Sequence, residues 1–346
     1  MFWGDYYRIL VLLIGFVCLA SMCSNYLIIN FTFICMKHDM TDGSYMDGNG
    51  TLHSIYDYSS SEKKWIMWAV AAGTILGTIP LNMLYIKFGA RYPFLIAGVI
   101  SCVTTAFVPF AAKVHFLFLL SLRFLQGFAY SADFAAIGLM TVRWAPLSET
   151  ATFVAILTSF NGIASTVTNS ATGLICESSL GWKWSYYLHA VFGLLLFIVW
   201  AIVYAEDPQE TRRVSSRELL KIQKNKSEAH LDKNTPVPYV KVLTSPVIIC
   251  VWANAFFDLT AAIMFSTYVP IYLNEVLKFG ITETGFYASL ILGVSLPVRF
   301  VFAVISDKFK FVNERIKIML FNSVSVGLSG LIFACIGSVP ASDIAS

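Results

Sequence analysis

Charged side chains are scarce in this sequence. Only 13% of the 346 residues are Asp, Glu, Lys or Arg, about half the share that is usual in soluble proteins. Hydrophobic residues make up 57%, which is more apolar surface than a soluble fold of this length hides from water. The formal net charge is only +3 and is dispersed, so no polyanionic partner is indicated. The composition excludes an ordinary soluble enzyme, a disordered protein and a nucleic-acid-binding protein.

The sequence also lacks the residue groups from which metal and redox sites are built. None of the seven cysteines forms a CxxC pair, and the five histidines share no spacing that suits a metal. Each cysteine lies within or at the edge of an apolar run, so all seven are interpreted as small buried apolar residues. No cofactor and no metal site are predicted, and no residue set typical of a membrane-embedded enzyme is present.

Long apolar runs dominate what remains. A membrane-spanning helix needs about 20 apolar residues, and lipid does not tolerate the unpaired backbone of open strands. Each run is therefore predicted to be a helix, and the fold class is an all-α polytopic membrane protein. The nine predicted spans cover residues 9–36, 65–87, 92–112, 114–142, 151–176, 182–204, 247–273, 283–305 and 316–337. The first run is too long for a cleaved signal peptide and is interpreted as a retained span.

The basic residues predict the orientation of these spans. Sixteen of the 24 Lys and Arg residues lie in the N-terminal segment and the even-numbered loops, six lie in the odd-numbered loops, and Arg123 and Arg299 lie within spans. Cytoplasmic loops carry the excess of Lys and Arg, so the N-terminus and the even loops are predicted to be cytoplasmic. Loop 37–64 then faces outward, where Asn49 in the sequon Asn49-Gly50-Thr51 is predicted to be glycosylated.

Residues 205–246 form a long, polar and basic segment on the predicted cytoplasmic side. Ser215 stands three residues before Glu218, followed by apolar positions, which is typical of a capping box at the start of a helix. Arg212 and Arg213 precede Ser215, a pattern that basophilic kinases recognise, so Ser215 is a candidate phosphosite. The alternative is that Ser215 only caps the helix.

Six spans, a polar linker and further spans are the layout of a two-half transporter. We predict an N-terminal six-helix half over 1–204, a cytoplasmic linker over 205–246 and a partial C-terminal half over 247–346 with spans seven to nine. Span five carries Ser165, Asn169 and Gly173 at every fourth position, which favours close helix packing. If the second half copied the first, it would contain six spans rather than three.

Several local motifs then resemble one family. They are Arg123-Phe124-Leu125-Gln126-Gly127, Arg143-Trp144-Ala145-Pro146, Gly181-Trp182 through Tyr187, Val242 through Asn254, and Pro270 through Leu277. Their order and spacing resemble the major facilitator superfamily. Within it they are similar to the anion:cation symporter family of sodium–phosphate cotransporters, sialin and vesicular glutamate transporters (solute carrier family seventeen).

The sequence departs from the glutamate-type members at their polar anchors. Cys23 stands at the position of their Arg in span one, and Met67 lies near that of their span-two His. Tyr130 replaces their span-four Glu, and Phe257 replaces their span-seven Arg. The resemblance therefore does not carry glutamate over as the substrate.

Few ionisable residues lie within the predicted spans, and each is a candidate for function. Arg123 is predicted to line a cavity and to bind an anionic group, because its planar fork suits carboxylate and phosphate; the alternative is a snorkelling side chain. Gln126 and Tyr130 share its broad helix face and are predicted to bind substrate with it. Asn25 is predicted to line the cavity or to join helices.

Two carboxylates are candidates for coupling. Asp133 lies ten residues beyond Arg123, and Asp258 lies near the middle of span seven. Each is predicted to bind a coupling cation, Na⁺ or H⁺, with a structural ion pair as the alternative. Because an unpaired buried Arg is costly, a bound anion or Asp133 is expected to compensate Arg123.

The resemblance implies a secondary active transporter of a small organic or inorganic anion that works by alternating access. It implies coupling to Na⁺ or H⁺, a plasma-membrane or vesicular or lysosomal location, and no enzymatic activity. The alternative is a truncated or non-transporting regulatory membrane protein of the same fold.

Overall fold

The computed structural model describes residues 5–48, 50–224, 226 and 239–308, together with scattered positions between 316 and 335. Within these ranges, only the backbone is described at 151, 239, 295, 296 and 298–308. Half of the predicted ninth span, 316–337, falls outside the described residues. The positions within it that are described are helical.

The described chain is almost entirely helical, as the composition predicts. Its helices are α1 (Tyr7–Met36), α2 (Ser60–Phe88), α3 (Arg91–Val114), α4 (Phe116–Tyr130), α5 (Ala132–Trp144), α6 (Thr150–Thr158), α7 (Phe160–Glu177), α8 (Trp182–Val203), α9 (Ser216–Gln223), α10 (Tyr239–Thr244), α11 (Pro246–Glu275) and α12 (Ile281–Lys308). A short antiparallel hairpin, β1 (Ser44–Met46) and β2 (Leu52–Ser54), lies between α1 and α2. Helices α1, α2, α3, α8 and α11 are each long and apolar enough to cross a bilayer.

Predicted spans four and five are each divided into two helices. Span four breaks at Ser131, between α4 and α5, and span five breaks at Ser159, between α6 and α7. Ser131 donates its hydroxyl to the carbonyl of Phe128 at 2.8 Å, and Ser159 donates to Ile156 at 2.7 Å. Such side-chain bonds to the preceding turn compete with the helical ladder and bend it.

The end of the molecule that carries the hairpin, here called the hairpin end, is held together by polar contacts. Asp42 accepts hydrogen bonds from Lys183, from Lys113 at 3.0 Å and from the Tyr56 hydroxyl at 2.6 Å. The bond from Lys183 has the largest effect, and together the three bonds hold the pKa of Asp42 well below its usual range. Loop 37–64 is thereby fixed to the start of α8 and to the end of α3.

A disulfide at the same end corrects the interpretation of the cysteines. Cys35 at the end of α1 is bonded to Cys176 at the end of α7, so these two are not merely apolar fillers. Cys18, Cys23 and Cys102 are buried as predicted, whereas Cys250 and Cys335 are exposed. The pair was not predictable from local spacing, because 141 residues separate its members.

Glycines bring α2 and α4 into backbone contact. A Cβ atom on Gly73 would lie 2.0 Å from the carbonyl oxygen of Phe124, and one on Gly127 would lie 2.0 Å from that of Val70. No side chain fits at either position. Thr74 adds a hydrogen bond across the crossing, because its hydroxyl reaches the carbonyl of Gly127 at 3.1 Å. The pair is thus fixed by the same small-residue packing that membrane helices use generally.

Helix α7 packs against α12 along a seam of small and polar residues. Ser170 donates its hydroxyl to the Ser289 hydroxyl at 2.6 Å, and Ser289 donates to the carbonyl of Thr166 at 2.7 Å. Nearer the hairpin end, Gly173 and Gly285 approach so closely that a Cβ on Gly173 would lie 3.3 Å from the Cα of Gly285. The predicted close packing of span five is confirmed, and its partner is α12.

Helix α9 lies across the start of α1 at the opposite end of the molecule, here called the linker end. The predicted helix after Ser215 is confirmed, and Ser215 accepts a hydrogen bond from the amide of Glu218 at 3.2 Å. The other half of the predicted capping box is wrong. The Glu218 carboxylate accepts instead from the amides of Tyr7 at 2.9 Å and Arg8 at 3.0 Å, because the uncapped start of α1 offers free donors there.

Candidate functional site

A buried polar cluster surrounds Arg123 in the middle of α4. The Arg123 side chain is only 1% exposed, and its Nη1 donates to Oε1 of Gln126 at 2.5 Å. Its Nε has no hydrogen-bond partner among the described residues. The ionisable groups that face it are the phenols of Tyr186 and Tyr26. Within the described part of the chain no carboxylate pairs with Arg123, and its one side-chain hydrogen bond there goes to the amide oxygen of Gln126.

Gln126 connects this arginine to two further helices. Its Nε2 donates to Oγ1 of Thr105 on α3 at 2.7 Å and to the backbone carbonyl of Asn25 on α1 at 3.3 Å. Asn25 in turn donates to the hydroxyl of Ser101 at 3.0 Å. The chain of bonds runs from α4 through α3 to α1, so the orientation of the Arg123 guanidinium depends on three helices.

Asp133 forms a second buried group at the start of α5. Its side chain is fully buried, and neither carboxylate oxygen has a hydrogen-bond partner among the described residues. Its carboxylate is close enough to interact electrostatically with the thiols of Cys18 and Cys23 and with the phenols of Tyr85 and Tyr130. Asp133, one of the two expected partners of Arg123, forms no ion pair with it here, and among the described residues neither side chain has an oppositely charged partner.

Tyr130 lies between the two groups along the chain. Its ring packs against that of Tyr26 with centroids 4.6 Å apart and an angle of 56° between the planes. Cys23, one turn earlier on α1, donates its thiol to Oδ1 of Asn161 on α7 at 3.4 Å. Tyr130 is therefore packed beside the polar cluster and contacts Tyr26 through its ring and through a hydrogen bond between the two side chains.

The remaining candidate residues lie apart from this cluster. Asp258 is exposed on α11 and forms no ion pair within the described part of the chain. Ser215 caps α9 at the linker end and also donates a short hydrogen bond to Asp5. Asn49 lies outside the described residues. Of the eight candidates, the structure brings together Arg123, Gln126 and Asn25 through direct bonds.

Sequence reasoning missed Thr105, Ser101, Tyr186 and Tyr26, which complete the surroundings of Arg123. A signal for two of them existed: Ser101, Thr104 and Thr105 form a polar interruption within the apolar run of α3. Tyr186 stood within the motif that ends at Tyr187, but nothing in the sequence linked it to Arg123. Its hydroxyl lies 2.7 Å from that of Thr32 and joins α8 to α1.

Comparison with known proteins agrees with this helical architecture. A family model described as Major Facilitator Superfamily matches residues 12–345. A bacterial homologue of the human lysosomal transporter Spinster, solved in an inward-facing and unoccupied conformation, is similar with a TM-score of 0.59 and 15% identity, over 88% of this chain and 64% of that one. This likeness supports the fold.

Curated relatives belong to the branch that the sequence motifs resemble. They include the "uncharacterized transporter slc-17.3" of Caenorhabditis elegans, which is 26% identical over 77% of this chain and 51% of its own length. Human sialin is 27% identical over 68% of this chain and 47% of its own length. Mouse sodium-dependent phosphate transport protein 3 is 25% identical over 69% of this chain and 50% of its own length. The chain thus spans about half the length of these relatives, which are transporters and not enzymes. The resemblance to the anion:cation symporters is confirmed, and the chain belongs to the Major Facilitator Superfamily.

Proposed function

We propose that the protein moves a small organic or inorganic anion across a membrane by alternating access. The observation that carries the proposal is the enclosed Arg123, whose charge no carboxylate balances among the described residues. An uncompensated buried cation is costly, and Arg presents a planar fork that binds carboxylate or phosphate through two parallel bonds. A bound anion is the partner that this geometry lacks.

The enclosure of Arg123 supports alternating access. A side chain that is 1% exposed meets a solute only if the surrounding helices separate in another state. The seam between α7 and α12 and the ion pair of Lys63 with Glu275, 3.4 Å apart, join the N-terminal helices to α11 and α12 at the hairpin end. Their release would open a path to the cluster from that end.

Coupling to H⁺ or Na⁺ is supported by Asp133. An ionised carboxylate in this fully buried position has no compensating donor or cation among the described residues, so a proton or a metal cation would neutralise it. Asp258 is the second coupling candidate. The relatives named sialin and sodium-dependent phosphate transport protein 3, and a mouse relative named probable small intestine urate exporter, support an anionic substrate such as an organic acid, urate or phosphate.

The test is uptake by the purified chain in proteoliposomes. Labelled phosphate, urate and sialic acid are offered under a Na⁺ gradient or a pH gradient, each imposed separately. We expect uptake of at least one anion, lost in Arg123→Ala and reduced in Arg123→Lys, which keeps the charge but loses the fork. Asp133→Asn is expected to abolish the dependence on the driving gradient more than the affinity for the anion.

Arg217→Ala is the matched control, because Arg217 is exposed on α9 and far along the chain from the cluster. Uptake by Arg123→Ala at the wild-type rate, with equal reconstitution, would contradict a binding role for this arginine. Folded wild-type protein that moves none of the anions under either gradient would favour the alternative, a non-transporting membrane protein of the same fold.

We further propose that the linker end faces the cytoplasm and that the protein resides in the plasma membrane or in a vesicular or lysosomal membrane. The excess of Lys and Arg in the N-terminal segment and the even-numbered loops supports this orientation. Glycosidase treatment should then shift the mobility of the wild-type protein but not that of Asn49→Gln. Cleavage of loop 37–64 by protease that reaches only the cytoplasmic side of the membrane would contradict the orientation.

A further inference from the structure

Three arginines converge on a groove at the linker end, separate from the Arg123 cluster. The groove has a volume of about 310 Å³ and is formed by the start of α3, the end of α8 and the first part of the linker. Its lining residues are Arg91, Ile202, Val203, Tyr204, Ala205, Glu210, Thr211, Arg212 and Arg213. With one carboxylate among them, the lining carries an excess of two positive charges.

None of these arginines is neutralised within the described part of the chain. Arg91 donates from Nη2 to the carbonyl of Ala201 at 2.8 Å, and Arg213 donates from Nη1 to the carbonyl of Ile202 at 3.2 Å and to the Tyr7 hydroxyl at 3.4 Å. These bonds leave donors of both guanidinium groups free. Arg212 is exposed and makes no ion pair among the described residues. Each arginine therefore keeps a full charge available to an anion.

The groove opens where two apolar helices end. Ile202, near the end of α8, is 60% exposed, and Tyr92, the second residue of α3, is 58% exposed. The Arg91 guanidinium lies 5.7 Å from the centre of the Tyr92 ring. Exposed apolar and aromatic residues beside a basic groove mark the level of the lipid headgroups. An anion held here would lie at the membrane surface, within reach of acyl chains packed against α3 and α8.

We propose that this groove binds the phosphate-bearing headgroup of an anionic phospholipid in the leaflet at the linker end. Basic pockets between membrane helices bind such headgroups, and the two-charge excess favours a headgroup with more than one negative charge over a zwitterionic one. The identity of the leaflet as cytoplasmic rests on the proposed orientation. The proposed binding does not depend on the orientation, because nanodiscs expose both leaflets.

The experiment measures lipid binding to the whole chain in phosphatidylcholine nanodiscs by native mass spectrometry and by a fluorescent phosphoinositide. The variants are Arg212→Gln, Arg213→Gln and the double variant, with Arg217→Gln as the control, an exposed arginine of the same segment that lies outside the groove. We expect each single variant to lower affinity about fivefold, since one basic residue near a charged membrane surface contributes that much. The control should leave it unchanged.

Two comparisons separate the lipid from a soluble ligand. Soluble inositol phosphate and inorganic phosphate should compete only at much higher concentration, because they lack the acyl chains. Equal affinity for the soluble compound would overturn the lipid assignment. Equal binding by wild type and the double variant would overturn the groove as the site. Arg212 is exposed and has no partner that its loss would unpair, so a folding defect does not obscure this variant. Transport is not part of the readout, so failure here is distinct from failure of the proposed transport.

Discussion

Ser170 and Ser289, on α7 and α12, share a hydrogen bond of 2.6 Å between their hydroxyl oxygens. They are 119 residues apart in the chain, on either side of the polar linker. The bond belongs to the seam that joins the N-terminal helices to α12. Whether the seam opens during a transport cycle is therefore measurable at this one pair of side chains.

A cysteine pair at Ser170→Cys and Ser289→Cys is expected to form a disulfide under mild oxidation, because the two hydroxyls are already in contact. Cys250 and Cys335 are replaced by Ser in the same protein. Cross-linking is measured by gel electrophoresis after the chain is cleaved in the linker, because only a cross-linked protein then still runs as a single band. Uptake should stop when the bond forms and return on reduction. The control pair combines Ser289→Cys with Val167→Cys, whose side chain is 55% exposed. Equal cross-linking of the control would contradict the described seam.

Gly127→Ala is expected to destabilise the crossing of α2 and α4. The added Cβ would lie 2.0 Å from the backbone oxygen of Val70, and overpacking of this kind costs about 1–3 kcal/mol or more. Thermal unfolding followed by a thiol-reactive dye measures the loss. Gly138→Ala is the matched control, since nothing lies within 4 Å of its added Cβ and Ala is the better helix former. A Gly127→Ala protein as stable as the control would refute the backbone contact.

The attachment of the hairpin is expected to survive moderate acid. Its Asp42 has a folded-state pKa below the usual value, chiefly because Lys183 donates to it. The stabilisation is therefore complete above the unfolded-state pKa of about 4 and is lost only as the pH falls below it. Hydrogen-exchange protection in loop 37–64, corrected for the intrinsic pH dependence of amide exchange, should be the same at pH 7 and pH 5 and should fall below about pH 4.

Asp42→Asn should remove this acid step and expose the loop to exchange already at neutral pH. Asp47→Asn serves as the control, because Asp47 lies in the exposed hairpin turn and accepts only from the amide of Gly48 among the described residues. An acid step that persists in Asp42→Asn would assign the titration to another group.

Negative charge at Ser215 is expected to weaken the contact between α9 and α1. Ser215 donates to Asp5, and its helix carries Glu218, so a phosphate would face two carboxylates. Ser215→Asp keeps an acceptor at the N-cap but brings like charges together, so it should raise hydrogen exchange at Tyr7 and Arg8. Ser216→Asp, exposed on the first turn of α9, should be neutral or stabilising. Phosphopeptide mapping after kinase treatment tests whether Ser215 is modified at all.

The helices were predictable because their signal is local. Apolar runs of sufficient length fix the spans, and the packing of Ser165, Asn169 and Gly173 was visible in their spacing. The breaks at Ser131 and Ser159 were not, since a serine that bonds the preceding turn is compatible with an unbroken helix in most contexts.

The candidate site was only partly predictable, because its partners come from distant segments. Arg123 and Gln126 are neighbours on one helix turn, and the sequence links them. The bond of Gln126 to Thr105 and the isolation of Asp133 from Arg123 depend on how α3 and α5 are rotated. Helix rotation is set by packing over the whole bundle. Glu218 shows the same limit. Its spacing to Ser215 fits a capping box, yet its carboxylate accepts a hydrogen bond from the backbone amide of Tyr7 on α1.

That contact also sets an order of events during synthesis. The donors of Tyr7 and Arg8 are completed by a residue 210 or 211 positions later in the chain. At about 5–20 residues per second, the ribosome needs on the order of 10–40 s between the two. Throughout that interval α1 to α8 are inserted while the first turn of α1 has not yet met Glu218. Helix α9 is thus the last helix to join the N-terminal bundle. A ribosome that stalls before α9 leaves α1 to α8 in place while the amides at the start of α1 still lack Glu218 as their acceptor.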